Sequence, residues 1–245
     1  MAYLPGNDSP EEVLQSRSAL GHLRSHLRFW VAAAAVLTLD LWSKDWIFTS
    51  LGPREEWTFI SDVVAFHRSL NDGAVFGSFT GYVGLFIVAS LFALGFVFYL
   101  FALSPRTHRA MHVALALILA GALGNLYDRA VMQADVLYLT GNAGEPVRII
   151  GILLSEPGDD RIVLGDWPDG TNPQSFARGE VTLRRQGVVR DFIQFLPRFP
   201  AYVPRLGGRM VWPWVFNVAD ASLVCGVGAL LFTSWLRHGP SRRPT

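Results

Sequence analysis

Two aspartates that lie in different parts of the chain have the chemistry needed to hydrolyse a peptide bond. Asp191 lies in the short run from Val189 to Ile193, and Asp220 lies in the last long apolar segment. Two carboxylates in close contact cannot both ionise, so such a pair holds one proton. The ionised carboxylate draws a proton from water while the protonated one polarises the carbonyl. A simpler interpretation stands beside this one: Asp220 pairs with an arginine or caps a helix, and Asp191 is a loop acid.

Amide side chains accompany the acids at helical spacing. Asn217 lies three residues before Asp220, and Asn125 lies three residues before Asp128. Residues at this spacing share a helical face, and amides beside acids suit a polar cavity. Asp128 and Arg129 are adjacent and point in different directions on a helix, so we expect each to pair elsewhere, in a structural role.

Asp40 and Lys44 lie four residues apart in the first apolar segment. This spacing lets an acid and an amine neutralise each other on one helical face. We therefore expect a structural ion pair first and support of a site second. The run from Asn71 through Gly73 to Gly77 is by itself typical of a turn followed by an apolar strand or helix start.

Four apolar segments must position these residues, and they cover 29–51, 82–103, 111–132 and 211–236. A bilayer core requires about 20 apolar residues per helix. Hydrophobic residues make up 51% of the chain and charged residues only 17%, with a mean hydropathy of +0.29. These features predict a mainly α membrane protein with four transmembrane helices. The small residues of the third helix predict close packing on a neighbour, and they are Ala120, Gly121, Ala122 and Gly124.

Basic residues in short flanks predict the orientation of the four helices. They precede the first segment, join the second to the third and follow the fourth, at Arg17, Arg24, Arg28, Arg106, Arg109, Arg237, Arg242 and Arg243. Such flanks stay cytoplasmic. Both termini are therefore expected in the cytoplasm, and loops 52–81 and 133–210 on the other side. The first segment is expected to be a retained anchor because no small-residue cleavage pattern follows it.

Region 133–190 differs from the rest of the chain. Short β-branched runs at 147–150, 161–164 and 181–183 are separated by Gly, Pro and Asp turn signals, which predicts a β-rich extramembrane insertion. The predicted organisation is a cytoplasmic tail 1–28, helices 1 to 3 within 29–132, the insertion 133–190, a site segment with helix 4 at 191–237, and a cytoplasmic tail 238–245.

Composition and motifs exclude several functions. A formal net charge of +1 without a basic run argues against nucleic acid as a partner. The single cysteine, Cys225, excludes an intrachain disulfide and a CxxC metal site. Neither an HExxH zinc motif nor a GxSxG nucleophile elbow is present. A small transporter using intramembrane acids, or a scaffold that recruits a partner through the insertion, remains an alternative.

Five blocks, taken in order, resemble the motifs of the lipoprotein signal peptidases, the signal peptidase II family. They are Asp40 to Lys44, Asn71 to Gly77, Gly121 to Arg129, Val189 to Ile193 and Phe216 to Asp220. The resemblance implies that Asp191 and Asp220 are the catalytic aspartates. It implies supporting roles for the first-helix pair, Asp40 and Lys44, and for the active-site residues Asn71, Gly73, Asn125, Arg129 and Asn217. Asp128 matches a further acid of the family.

The same resemblance implies an intramembrane aspartic endopeptidase of the bacterial inner membrane, with its active site on the periplasmic side. Its substrate would be a diacylglyceryl-modified prolipoprotein, and we expect a monomer among membrane lipids without a metal or organic cofactor. Three features depart from the family pattern. Ala120 replaces a common glycine, Arg190 replaces a common apolar residue, and about sixty residues separate Arg129 from Asp191 where a short connector is usual.

Overall fold

The computed structural model describes residues 18–73, 83–140, 146–156 and 158–238. Within them the chain forms four long helices: α1 Leu23–Ser50, α2 Val83–Leu103, α3 Arg109–Val131 and α4 Val218–His238. Nine strands lie between and beside these helices. The architecture is therefore mixed helix and sheet and not mainly α.

The four helices overlap the four apolar segments, but two of them begin several residues away from the predicted start. Helix α1 begins at Leu23, six residues before the predicted 29 and inside the predicted tail 1–28, and the last helix begins later than predicted. That segment was predicted from residue 211, but α4 begins at Val218. Residues 211–217 are irregular apart from the short strand Val215–Phe216. Pro213 explains the difference, because proline lacks an amide hydrogen and its ring clashes with the preceding turn of a helix.

Two of the described helices are long and apolar enough to cross a membrane, by length and composition alone. They are Arg109–Val131 and Val218–Leu236, while α2 offers the shorter apolar stretch Ile87–Leu103. Helix α1 carries Asp40, Lys44 and Asp45, which lower its hydropathy. The prediction of four spans is therefore not confirmed by the helices themselves.

The described residues divide into two compact units. The first comprises 18–40, 89–124 and 218–238, and the second comprises 41–73, 83–88, 125–140, 146–156 and 158–217. In the first unit, Phe29 of α1 stacks on Phe101 of α2 with ring centroids 4.4 Å apart. Leu115 and Leu119 of α3 are buried in the same cluster. Apolar burial and aromatic contact thus hold these helices together.

Helices α3 and α4 pack closely within this unit because glycine lines their contact. A Cβ on Gly121 would meet the carbonyl oxygen of Ala219, and it would lie 2.7 Å from both Leu223 Cγ and Ser222 Oγ. A Cβ on Gly226 would lie 2.7 Å from Ile118 Cγ1. The close helix packing predicted from the small residues of α3 is thus present.

We expect Gly121→Ala to destabilise the protein by about 1 to 3 kcal/mol, the usual effect of overpacking. The backbone carbonyl of Ala219 cannot move aside as a side chain would. Chemical denaturation in mixed micelles measures the change. Gly95→Ala in α2 is the matched control, since nothing lies within 4 Å of its added Cβ. Equal stability of the two variants would contradict this packing.

The second unit contains two antiparallel sheets. The first has the order β1-β2-β8-β9 and is formed by β1 Glu56–Ile60, β2 Val64–Asn71, β8 Val189–Phe195 and β9 Val215–Phe216. The second has the order β6-β5-β4-β3-β7 and is formed by β3 Gln133–Thr140, β4 Pro146–Leu153, β5 Arg161–Asp166, β6 Thr171–Ala177 and β7 Val181–Gly187. The second sheet is termed the inserted sheet below.

The inserted sheet includes the three β-branched runs singled out from the sequence, in β4, β5 and β7. Its other two strands, β3 and β6, contain no such β-branched run. Leu137, Ile162 and Leu164 are buried as its core. The register between β2 and β8 places Ser69 opposite Asp191 and Asn71 opposite Val189, which brings the segment between α1 and α2 beside a candidate catalytic residue.

Candidate active site

Asp191 lies on β8, an inner strand of the first sheet, and is 2% exposed. Asn71 Nδ2 donates a hydrogen bond of 3.0 Å to its Oδ2, and Asn217 Nδ2 donates one of 2.6 Å to its Oδ1. Each carboxylate oxygen therefore accepts one amide proton, and the two bonds together fix the plane of the carboxylate. Two asparagines predicted as support residues thus contact Asp191 directly.

A chain of hydrogen bonds continues from Asp191 into the helices. Asn217, fully buried just before α4, also donates to Asn125 Oδ1 at 3.1 Å. The same oxygen accepts a hydrogen bond of 3.3 Å from Lys44 Nζ. Four of the predicted residues are therefore connected through side-chain contacts alone, and this network holds the Asp191 carboxylate in one orientation.

Asp128 is the centre of a buried ion cluster with Lys44 and Arg190. Its Oδ2 lies 3.4 Å from Lys44 Nζ, and its Oδ1 lies 2.9 Å from Arg190 Nη2. The backbone amide of Arg190 also donates to Oδ2 at 2.9 Å. The side chains of Lys44 and Asp128 are fully buried and that of Arg190 is 5% exposed. Asp128 thus pairs away from Arg129, as the sequence predicted.

Asp40 is fully buried and faces the beginning of α4. Its Oδ1 accepts a hydrogen bond of 2.8 Å from the backbone amide of Ala219. The first amides of a helix have no partner within that helix, and a carboxylate there also favours the helix dipole. A Cβ on Gly124 would meet Asp40 Oδ2, so glycine is required for this approach. The predicted pairing of Asp40 with Lys44 stays a prediction.

The remaining predicted residues occupy element ends. Gly73 has a φ of 92° and donates its backbone amide to Asn71 Oδ1 at 2.9 Å. Arg129 is half-buried in the last turn of α3, and its Nη1 donates to the carbonyl of Asn125 at 3.4 Å. Asp220 is half-buried in the first turn of α4, three residues after Asn217 along the chain. The apolar end of the Asn71 block, residues 74–77, lies outside the described residues.

The family model for signal peptidase (SPase) II matches residues 32–236 of this chain. The chain belongs to the signal peptidase II family. A lipoprotein signal peptidase of Mesorhizobium japonicum is 36% identical over 119 residues, which are 48% of this chain and 70% of that relative. One of Desulfitobacterium hafniense (strain DSM 10664 / DCB-2) is 24% identical over 214 residues, 87% of this chain and 97% of the relative.

Solved structures support the fold of this signal peptidase II family member. A bacterial membrane enzyme solved by the in meso method at 2.3 Å resolution gives a TM-score of 0.55 at 19% identity, over 94% of this chain and 97% of that one. A second such structure, solved at 1.9 Å resolution, gives a TM-score of 0.54 at 20% identity, over 91% of this chain and 97% of that one. The chain is therefore a peptidase with the fold of membrane enzymes.

Membership of a membrane-enzyme family accounts for the apolar surface of the helices. Large apolar side chains of α4 are exposed, among them Val224, Leu231 and Trp235, and those of α2 include Phe92 and Phe96. A water-soluble protein rarely exposes so many together, whereas a lipid-facing helix does.

Sequence reasoning missed the partner role of Arg190. The sequence shows only a charged residue where the family commonly has an apolar one, and the structure pairs that charge with buried Asp128. Arg190 itself could have indicated a buried acidic partner, because a charged side chain on a buried strand requires a countercharge. Within the described ranges, no group of three or more His, Cys, Asp or Glu side chains could hold a metal ion.

Proposed function

We propose that this protein removes the signal peptide from diacylglyceryl-modified bacterial prolipoproteins by cleaving before the lipidated cysteine. The observation that carries the proposal is the buried carboxylate of Asp191, whose two oxygens are held by Asn71 and Asn217 inside a chain that matches signal peptidase II. The relatives from Mesorhizobium japonicum and Desulfitobacterium hafniense are both lipoprotein signal peptidases, which supports this substrate class.

The proposed mechanism is aspartic, with Asp191 and Asp220 sharing one proton. The ionised carboxylate removes a proton from water, whose oxygen attacks the scissile carbonyl without a covalent enzyme intermediate. The protonated carboxyl group donates its proton to the carbonyl oxygen, which gives a gem-diol intermediate. As the C–N bond breaks, the carboxyl group that took a proton from water passes it to the leaving nitrogen, and one hydroxyl of the gem-diol returns its proton to the other carboxylate. The products are a free signal-peptide carboxylate and the α-amino group of the lipidated cysteine.

The proposed arrangement in the membrane follows the charge distribution of the sequence. Four spans place both termini in the cytoplasm and the aspartates at the periplasmic side of the inner membrane. The diacylglyceryl group stays among the lipids and brings the preceding peptide bond to the carboxylates. The protein acts as a monomer, and residues 52–73, the described part of loop 52–81, lie along the membrane surface, where Asn71 helps to hold the substrate.

The test is cleavage of a purified prolipoprotein in detergent, followed by mass spectrometry of both fragments. We expect the lipidated substrate to be cut at the bond before its modified cysteine. The same chain without the lipid, in which serine replaces that cysteine, is expected to be cut at least about 10-fold more slowly because it loses the binding energy of the acyl chains. Failure to cut several lipidated substrates would refute the proposal and favour a transporter or scaffold.

A further inference from the structure

Asp72, next to the site residue Asn71, lies against the inserted sheet. Its carboxylate is 3% exposed, and Arg148 Nη1 lies 2.7 Å from its Oδ1. Its Oδ2 accepts hydrogen bonds from Gln186 Nε2 at 3.3 Å and from the hydroxyl of Tyr138 at 3.4 Å. Gln186 Nε2 also donates to the Tyr138 hydroxyl oxygen at 3.1 Å. These three residues and Asp72 are termed the Asp72 clamp.

The register of the inserted sheet explains why the side chains of Tyr138, Arg148 and Gln186 point the same way. Tyr138 of β3 lies directly opposite Arg148 of β4, and Gln186 of β7 lies opposite Ala134 of β3. Because side chains alternate along a strand, Ala134 and Tyr138 share a face, so all three side chains lie on that face. One face of the inserted sheet thus supplies every clamp partner of Asp72 named above.

Charge and protonation favour a persistent clamp. Arg148 is a cation whose side chain is 29% exposed, beside a carboxylate that is almost fully buried. Burial raises the pKa of the Tyr138 hydroxyl, and the negative charge of Asp72 raises it further. Tyr138 therefore stays protonated at neutral pH and keeps its donor role. A buried carboxylate with a guanidinium and two neutral donors is well compensated.

The backbone transmits the position of Asp72 to Asn71. Asn71 contacts Asp191 through Nδ2, and its Oδ1 accepts the amide of Gly73, which follows Asp72. Gly73 has a φ of 92°, a conformation that glycine adopts without the strain a side chain would add, so the chain can turn directly after Asp72 and bring the Gly73 amide back to Asn71. Two consecutive side chains thus join the inserted sheet to the carboxylate of Asp191.

We propose that the inserted sheet is a positioning element for the peptidase, in which Arg148, Tyr138 and Gln186 hold Asp72 and thereby set Asn71 on Asp191. This inference rests on the proposed function of Asp191. Arg148 is a positioning residue and not a catalytic one, because it acts through Asp72. The insertion therefore does more than decorate the enzyme.

The test compares Arg148→Met with Arg148→Lys and with Arg161→Met. Arg161 belongs to the same sheet but bonds to Ser175, so its replacement removes an arginine without touching the clamp. We expect Arg148→Met to lower kcat per folded molecule about 10-fold, because a displaced Asn71 misorients Asp191, and to raise KM as well, because Asn71 helps to hold the substrate. Arg148→Lys should restore part of the loss, and Arg161→Met should match the wild type.

Two further measurements separate positioning from stability. Hydrogen exchange at the Gly73 amide should accelerate in Arg148→Met and not in Arg161→Met. The double variant Arg148→Met with Asp72→Asn should lose no more kcat than Arg148→Met alone, since both changes break one clamp. If Arg148→Met does not fold, Tyr138→Phe takes its place, and we expect a smaller loss of kcat.

The outcomes distinguish this inference from the proposed function. Wild-type kcat and unchanged Gly73 exchange in Arg148→Met would overturn the positioning role while leaving the peptidase intact. An inactive wild type would refute the peptidase proposal, and Gly73 exchange would then still decide whether the inserted sheet holds the Asn71 turn.

Discussion

Replacing Asp191 by asparagine is expected to lower kcat for prolipoprotein cleavage by about 10³-fold or more, and Asp220→Asn should do the same. An amide cannot take a proton from water at neutral pH, and general acid and base catalysis contributes about 10² to 10⁴ in rate for each participating group. Because the two carboxylates act as a pair that shares one proton, removal of either one disables the pair. The losses of kcat from Asp191→Asn and Asp220→Asn should therefore not be additive. Single-turnover cleavage in detergent measures kcat apart from product release.

The amide introduced by Asp191→Asn would fit the space of the carboxylate but could not keep all its hydrogen bonds. The two oxygens of Asp191 accept from Asn71 Nδ2 and Asn217 Nδ2, whereas an asparagine offers one acceptor and one donor. One donor would then face another, which costs about 1 to 3 kcal/mol in a buried site. Activity must therefore be expressed per folded molecule, with folding followed by size-exclusion chromatography and thermal unfolding.

Asp135→Asn is the matched control for this loss of a buried acid. Asp135 lies on β3 and is buried, and its Oδ2 accepts the backbone amide of Leu153 at 2.9 Å. Its replacement changes charge and burial in a similar way but leaves Asp191 and its two asparagines in place. We expect near-wild-type kcat. An active, folded Asp191→Asn would end the aspartic interpretation.

The sequence predicted the helices because their signal is long and physical. Apolar stretches of about 20 residues need few assumptions, and the four helices follow them. The exception is residues 211–217, where Trp212 and Trp214 extend the apolar composition but Pro213 between them disfavours a helix. The strands of the inserted sheet were only partly visible, since β6 contains polar residues and Pro173.

The candidate site was predictable as a set of residues but not as a set of contacts. Ordered motif blocks marked Asn71, Asn125, Asn217 and Asp191. Nothing along the chain showed that Lys44 would reach Asp128, because such pairing depends on where α1 and α3 lie. The clamp around Asp72 was equally hidden, as its partners come from three strands whose register follows from tertiary packing.

Asp128→Asn is expected to destabilise the protein by about 3 to 5 kcal/mol, the usual effect of removing one partner from a buried ion pair. The change would leave the buried cations of Lys44 and Arg190 without their shared carboxylate. Arg190→Met should cost less, because Asp128 would keep Lys44 and the backbone amide at position 190. Chemical denaturation in mixed micelles measures this order.

Asp45 is the control that separates the effect of burial on stability from the effect of charge. It pairs with the same arginine, with Oδ1 at 3.8 Å from Arg190 Nη1, but its side chain is 76% exposed. Water already solvates that carboxylate, so Asp45→Asn should change the free energy of unfolding by no more than about 1 kcal/mol. Because Asp128 orders the cations and does not contact the substrate in the proposed mechanism, folded Asp128→Asn should retain most of its kcat. A loss as large as that of Asp191→Asn would instead make Asp128 a catalytic acid and remove the structural role assigned to its cluster.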